Sequence, residues 1–154
     1  MSRYCLAVLL TFLAGLACAA DLKIDATKDK KSPTGVYVPT DLDDCFSEMK
    51  KMLPAETVEK MKAGPEKDMI KYHFGLGTWM RNNWGLWGGS RLRDYFNKLG
   101  LHHPDDMSSV VLYSFWRHLN GKPLKVDEQV RYYQEYWKKM KEKNSKKKAT
   151  KKNK

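Results

Sequence analysis

The chain of 154 residues is long enough for one domain, and most of its net charge of +11 lies at the C-terminal end. Residues 138–154 contain ten lysines and one glutamate, a balance of +9, whereas the remainder has 19 basic and 17 acidic residues. The nearly neutral remainder argues against a nucleic-acid-binding face on the domain itself.

The N-terminal segment has the features of a secretory signal. Arg3 supplies a positive charge, residues 6–16 form a mainly apolar run, and the small residues 17–20 offer a cleavage site. The apolar run is shorter than the roughly 20 residues that a membrane-spanning helix needs. We therefore expect residues 1–20 to be a cleaved signal peptide and the protein to be exported, either to the periplasm or out of the cell.

Removal of this signal leaves Cys45 as the only cysteine, because Cys5 and Cys18 precede the cleavage site. The mature chain then has no intramolecular disulfide. Apolar residues at helical spacing share the predicted face of Cys45: Leu42, Phe46 and Met49. Cys45 is either a reactive thiol or a small buried apolar residue, and its neighbours favour burial.

Residues 21–36 are charged, lack apolar periodicity and predict a flexible leader. Helical periodicity follows, with a first helix capped by Thr40. Later helices are predicted from Pro54 to Gly64, from Pro65 to about Arg81, from Ser90 to Gly100, from Pro104 to Asn120, and from about Val126 to residue 140. No alternating strand pattern of useful length appears. We predict an all-α, compact single domain of five to six short helices over residues 37–140, with a disordered lysine-rich tail over 141–154.

The segment that we call the corner, residues 72–96, concentrates unusual chemistry. It holds five glycines, three of the five tryptophans and three arginines. Indole rings in a glycine-rich loop can bracket a flat ligand such as a sugar, amides can bond it, and guanidinium groups can hold an anion. A serine at a helix start adds backbone amides that favour anions. The candidate ligand-binding residues are Arg81, Asn82, Asn83, Trp84, Trp87, Ser90 and Arg91.

The same residues also fit a purely structural corner. Tryptophans bury large apolar areas, asparagines bond to loop backbone, and glycines allow backbone conformations that other residues avoid. Both interpretations remain open from the sequence. Gly88, Gly89 and Ser90 do not form a phosphate-binding loop, because the lysine of that motif is missing.

The histidines offer weaker signals. His73, beside the glycine pair of the corner, is the candidate general base if the protein is an enzyme, although no nucleophile is identifiable with it. His102 and His103 precede Pro104 and two aspartates, a pattern typical of a helix start. Neither a metal site nor a cofactor is predicted, because no metal-ligand spacing is present.

The lysine-rich tail lacks aromatic residues and attracts polyanions, including an anionic membrane surface. Its alternative role is a solubilising extension.

Several strings together resemble a mostly bacterial family known only as a domain of unknown function, number 6794. They are HFGLG-x-W-x-RNNWGLW at 73–87, GSRL at 89–92, HPDDMS at 103–108 and YYQEYW at 132–137. The resemblance implies a domain near residues 37–137 and brings no activity, cofactor or catalytic residue with it.

Three functions remain. The leading hypothesis is an exported binding module that recognises an envelope glycan or a protein partner through the loop at residues 81–91. The second is an enzyme acting on cell-wall or surface material with His73 as base, and the third is a protein-protein inhibitor or antagonist.

Overall fold

The computed structural model describes residues 34–152, with side chains described as far as residue 147. The predicted signal and nearly all of the predicted leader lie outside these residues. Six α-helices occur in the described range: α1 (Leu42–Met52), α2 (Ala55–Ala63), α3 (Thr78–Asn83), α4 (Arg91–Lys98), α5 (Pro104–Leu119) and α6 (Val126–Lys152). No β-strand occurs between residues 34 and 152, so the predicted all-α class is confirmed.

Helix α5 is the centre of the domain, and every other helical element contacts it. Eleven of its sixteen residues are buried. A helix that is buried nearly all round must satisfy its polar side chains internally. Ser108 accepts a hydrogen bond from Arg81, and Ser114 accepts one from Gln129. These serines thus link α5 to α3 and α6.

The core is continuous from α1 to α5 and contains the predicted face of α1. Leu42, Cys45, Phe46 and Met49 are all buried. Burial raises the pKa of the Cys45 thiol well above its ordinary value. The interpretation of this cysteine as a buried apolar residue is therefore confirmed, since the thiolate is the reactive form.

Helix α1 begins one residue later than the sequence suggests. The cap is Asp41, whose Oδ1 accepts from the backbone N–H of Asp44 at 3.0 Å. Asp44 in turn accepts from the backbone N–H of Thr40 at 2.9 Å. These two bonds fix the helix start, because each carboxylate satisfies a backbone amide that has no partner in the helix.

The predicted third helix is divided into three parts. A 3₁₀ helix, Glu66–Tyr72, leads into a π-helical turn, His73–Gly77, and then into α3. A Cβ on Gly77 would lie 3.1 Å from Nη1 of Arg81, whereas one on Gly75 would meet nothing within 4 Å. Close approach therefore explains the glycine at 77 only. Single π turns of this kind are frequent at functional sites.

Helix α6 extends beyond the predicted domain and continues to Lys152 through most of the predicted disordered tail. The difference has a local cause, because lysine, glutamate and alanine favour helix and no proline or glycine interrupts residues 126–152. The six lysines between residues 138 and 147 are exposed. Over the part of the chain that the structure describes, none of the helices has the length and apolar character needed to cross a membrane.

Candidate functional site

The two tryptophans of the predicted site have different environments. Trp84 is 1% exposed, and its ring packs edge-on against Trp79 with centroids 5.9 Å apart. Trp87 is 56% exposed. The two indoles therefore do not bracket a ligand between them. Trp84 belongs to the core, and Trp87 is available to a ligand.

Arg81 is committed to the interior. Its guanidinium donates to Ser108 Oγ at 2.8 Å and to Thr78 Oγ1 at 2.9 Å, and it forms an ion pair with Asp105 at 2.9 Å. Only 6% of the residue is exposed. Arg81 thus joins α3 to the first turn of α5 and has no free face for an external anion.

Arg91 and Ser90 are also occupied within the protein. Two nitrogens of the buried Arg91 guanidinium donate to the carbonyl oxygen of Val38, one of them at 2.7 Å. The same guanidinium lies over the ring of Tyr37, 4.7 Å from its centroid. Ser90 accepts from the backbone N–H of Arg93 at 3.1 Å and caps α4. Arg91 thus attaches the segment before α1 to the corner.

The asparagines complete the predicted set. Asn83 is half-buried and donates from Nδ2 to the carbonyl oxygen of Trp79 at 2.9 Å. Asn82 is exposed. Of the seven candidate ligand-binding residues, Asn82 and Trp87 are the two that are open to solvent, and the other five are wholly or partly enclosed.

His73 lies in a polar network rather than beside an activated nucleophile. Its Nδ1 is 3.1 Å from Ser109 Oγ, a contact that the sequence did not suggest. Ser109 donates its hydroxyl proton to the carbonyl oxygen of Asp105 at 2.9 Å. A hydroxyl that donates to this carbonyl oxygen does not give the same proton to the imidazole, as nucleophilic catalysis requires.

Metal ligation finds no support in the same region. Although His73 Nε2 lies 3.9 Å from an oxygen of Asp105, Arg81 already pairs with that carboxylate. Among residues 34–152, no three side chains of the ligating types converge as a metal site requires.

A row of aromatic rings starts at Trp87 and crosses to α6. Trp87 meets His103 edge-on, with centroids 6.1 Å apart and an interplanar angle of 76°. His103 stacks on Trp137, with centroids 4.9 Å apart and an angle of 29°. Both distances fall in the range of favourable aromatic pairs. The row joins the corner, the α4–α5 connection and α6, which are far apart in sequence.

His103 and Trp137 border an open cavity between the α4–α5 connection and α6, which we call the α6 groove. Its volume is about 580 Å³, in the range of small-ligand sites. Its lining residues include Leu101, His103, Asp106, Trp137, Lys138 and Lys141. Trp87 extends the apolar border through its contact with His103. The α6 groove thus combines ring faces, one acid and two ammonium groups.

Two hydrogen bonds hold α6 against the first turn of α5 and the α4–α5 connection. Trp137 Nε1 donates to Asp106 Oδ2 at 2.6 Å, and Gln134 Nε2 donates to the carbonyl oxygen of Gly100 at 3.1 Å. Gly100 has a positive φ of 82°, and a Cβ there would lie 2.5 Å from Gln134 Nε2. The positive φ favours glycine at this position, and the amide end of Gln134 would have to move away from a Cβ there.

Asp106 has an unusual environment for an acid. It is buried, and burial raises the pKa of its carboxyl above the ordinary value, while the hydrogen bond from Trp137 opposes the rise. The sequence predicts this aspartate only as a favourable charge in the first turn of α5. The structure adds a second role, because the same carboxyl positions the indole of Trp137.

The sequence therefore predicts part of the candidate site. His103 caps α5 as expected, with Nδ1 accepting from the Asp105 backbone N–H at 3.3 Å, and it also stacks on Trp137. Trp137, Lys138 and Lys141 were not predicted as site residues. The signal for Trp137 was present in the stripe of aromatic residues along YYQEYW, but that stripe does not show what it faces.

The described residues form an all-α domain, and a family profile matches most of it. The chain belongs to the family described as a domain of unknown function, DUF6794, whose profile matches residues 38–119. The family predicted from the sequence strings is thus confirmed. Trp87, His103 and Asp106 lie inside the matched region, whereas Trp137 and the lysines of α6 lie beyond it. No curated protein and no solved structure matches the chain.

Proposed function

We propose that this protein is an exported, non-enzymatic binding module that holds an envelope glycan in the α6 groove. The single observation that carries the proposal is the row formed by Trp87, His103 and Trp137 beside an open cavity. Export is inferred from the signal-like segment at residues 1–20. The loop at residues 81–91 contributes to the site through Trp87 alone.

The chemistry of the groove supports a sugar better than a purely apolar ligand. The lining contains the aromatic rings of His103 and Trp137 together with the polar side chains of Asp106, Lys138 and Lys141. Sugar rings present C–H faces and hydroxyl groups together, so both kinds of surface are used. Sites for small ligands usually combine aromatic walls with a few polar groups in this way.

The enzyme alternative receives less support from the described residues. His73 faces Ser109, whose hydroxyl donates to a backbone carbonyl, so the pair lacks an available nucleophile. A protein partner is the other alternative, with Trp87 as an exposed aromatic anchor. A titration with sugar probes distinguishes a glycan ligand from a protein partner.

The test is a titration of the chain from residue 21 to 154, observed by NMR through the indole N–H signals of its five tryptophans. The probes are chitotriose, cellotriose and trigalacturonate. We expect saturable shifts of the Trp87 and Trp137 signals with at least one probe. The Trp84 signal should remain unchanged, because that ring is buried.

Two alanine variants provide the matched comparison. Trp87→Ala removes an exposed ring that contacts His103 of the groove lining, and Phe74→Ala removes one that is 81% exposed and contacts His73, which does not line the groove. We expect only Trp87→Ala to weaken binding. Equal binding by both variants, or no indole shift with any of the three probes, would contradict the glycan proposal and favour a protein partner.

We propose separately that the lysine-rich end of α6 attracts a polyanion such as an anionic membrane surface. The support is the exposure of all six lysines between residues 138 and 147. Exposed charges of one sign raise the local concentration of an oppositely charged partner. This interaction is independent of the glycan proposal.

A further inference from the structure

The cations that face the α6 groove come from α6 and not from the corner. Arg81 and Arg91 are 6% exposed and bonded to internal partners. Lys138 and Lys141, in contrast, line the groove and are exposed. They lie three residues apart on one helix, a spacing that places side chains on neighbouring parts of the same face. They are the two lysines among the lining residues, which also include His102 and His103.

The negative groups of this region do not cancel that charge. Asp106 directs Oδ2 at the indole N–H of Trp137, and the residue is only 7% exposed. Glu135 and Glu142, the acids on this stretch of α6, do not line the groove. The lining of the groove thus contains two lysines and one carboxylate, and that carboxylate is turned towards a ring.

We infer that the α6 groove selects an acidic sugar, whose ring lies against the aromatic row and whose carboxylate or phosphate meets Lys138 and Lys141. This inference rests on the proposed function and names the ligand class of the same site. Lysine suits either anion, because its ammonium group acts as a compact charge with rotatable donors. The aromatic row alone would accept neutral and acidic sugars equally well.

The test compares three probes with the chain from residue 21 to 154: trigalacturonate for a carboxylate, mannose 6-phosphate for a phosphate, and cellotriose as the neutral control. The variants are Lys138→Gln with Lys141→Gln, and the matched pair Lys143→Gln with Lys146→Gln. The second pair removes equal charge from the same helix at positions that do not line the groove. The readout is the dissociation constant by calorimetry at low and high salt.

We expect an acidic probe to bind more tightly than cellotriose in the native chain. The 138/141 variant should lose about three- to tenfold in affinity for that probe, in keeping with the modest strength of exposed ion pairs. The 143/146 variant should lose less than about twofold, and high salt should remove most of the difference. Preference for trigalacturonate or for mannose 6-phosphate identifies the anion.

Two results would overturn the inference in distinguishable ways. If cellotriose binds as tightly as both acidic probes, or if both lysine pairs have the same effect, selection for acid is wrong while glycan binding stands. If no probe binds and the indole signals of Trp87 and Trp137 do not move, the proposed function fails together with the inference.

Discussion

The indole N–H of Trp137 donates to the carboxylate of Asp106 across the interface between α6 and the first turn of α5, at 2.6 Å. Val130 is the only buried residue of α6 among its described side chains, and the partly buried Val126 and Tyr133 also pack against the core. The hydrogen bond adds a polar contact to this packing at the wall of the α6 groove.

The first prediction concerns the pH dependence of this contact. The folded chain holds the Asp106 proton more tightly than the unfolded chain, because burial raises the pKa of the carboxyl above its ordinary value of 3.8. The stability that this pKa difference contributes is fully present below the pKa of Asp106 in the unfolded chain. It is lost as the pH rises through the pKa of Asp106 in the folded chain. Asp106→Asn keeps an oxygen acceptor and does not titrate. We expect its stability relative to the native chain to rise across this pH range and then to level off.

Urea unfolding of the native chain and of Asp106→Asn at a series of acidic to neutral pH values measures the difference in their free energies of unfolding. Trp137→Phe supplies a second comparison, since it keeps an aromatic ring and removes the donor that lowers the Asp106 pKa. Its stability should fall more steeply with pH than that of the native chain. If the stability of the Asp106→Asn variant relative to the native chain stays flat or falls with pH, the assignment is contradicted.

The second prediction separates the two tryptophans of the corner. Trp84→Ala removes a ring that is 1% exposed and should lower the free energy of unfolding by about 3–5 kcal/mol. Trp87→Ala removes a ring that is 56% exposed and should cost less than about 1 kcal/mol. Thermal and urea unfolding measure both. Equal losses would show that Trp87 is part of the core and unavailable to a ligand.

The third prediction compares two arginines that donate to backbone carbonyls. Arg91→Met leaves the buried carbonyl of Val38 without these donors, at a cost of about 1–3 kcal/mol. Arg93→Met removes an exposed bond to the carbonyl of Trp87, which water can replace, so we expect less than about 1 kcal/mol. Urea unfolding distinguishes the two, and a larger loss for Arg93→Met would refute this assignment of roles.

The fourth prediction uses the glycines of the π-helical turn. A Cβ on Gly77 would crowd Arg81, whereas one on Gly75 would meet nothing within 4 Å. Gly75→Ala should be neutral or stabilise by up to about 1 kcal/mol, because alanine loses less backbone freedom on folding. Gly77→Ala should destabilise, because the guanidinium must move from its partners. Melting temperatures of the two variants test this, and the opposite order would show that close approach does not determine the choice of residue.

The fifth prediction addresses the lysine-rich end of α6. Truncation after Lys141 keeps the groove lysines and removes the seven lysines that follow them, so the melting temperature should change little. Sedimentation with phosphatidylglycerol vesicles should fall sharply, and the binding of the full chain should weaken with salt. Vesicles of phosphatidylcholine alone serve as the control. Retained binding by the truncated chain, or binding that salt does not affect, would exclude an electrostatic tail.

Helical periodicity predicted the fold well because it depends on local spacing. The pattern of α1, with Leu42, Cys45 and Phe46 on one face, corresponds to residues that are buried. The helix predicted from Pro104 to Asn120 likewise corresponds to α5, in which eleven of sixteen residues are buried. Segment boundaries were less accurate where hydrogen bonds decide them, as at Asp41, or where helix propensity continues without a stop signal, as beyond Met140.

The candidate site was harder to predict because it depends on contacts between distant segments. Trp84 and Trp87 lie three residues apart, yet Gly85 between them has a positive φ of 64°, and the chain turns so that one ring enters the core. Spacing along a loop does not predict that turn. His103 and Trp137 come from other segments, and their stacking depends on how α6 crosses α5.

The length of α6 has a consequence for the size of any molecule that this protein holds. From Lys141, beside the groove, to Lys152 the helix rises about 16 Å. A single sugar unit in the groove cannot span that distance, whereas an extended polymer can touch both places at once. Simultaneous contact of one anionic chain with both places therefore requires a chain at least about 16 Å long.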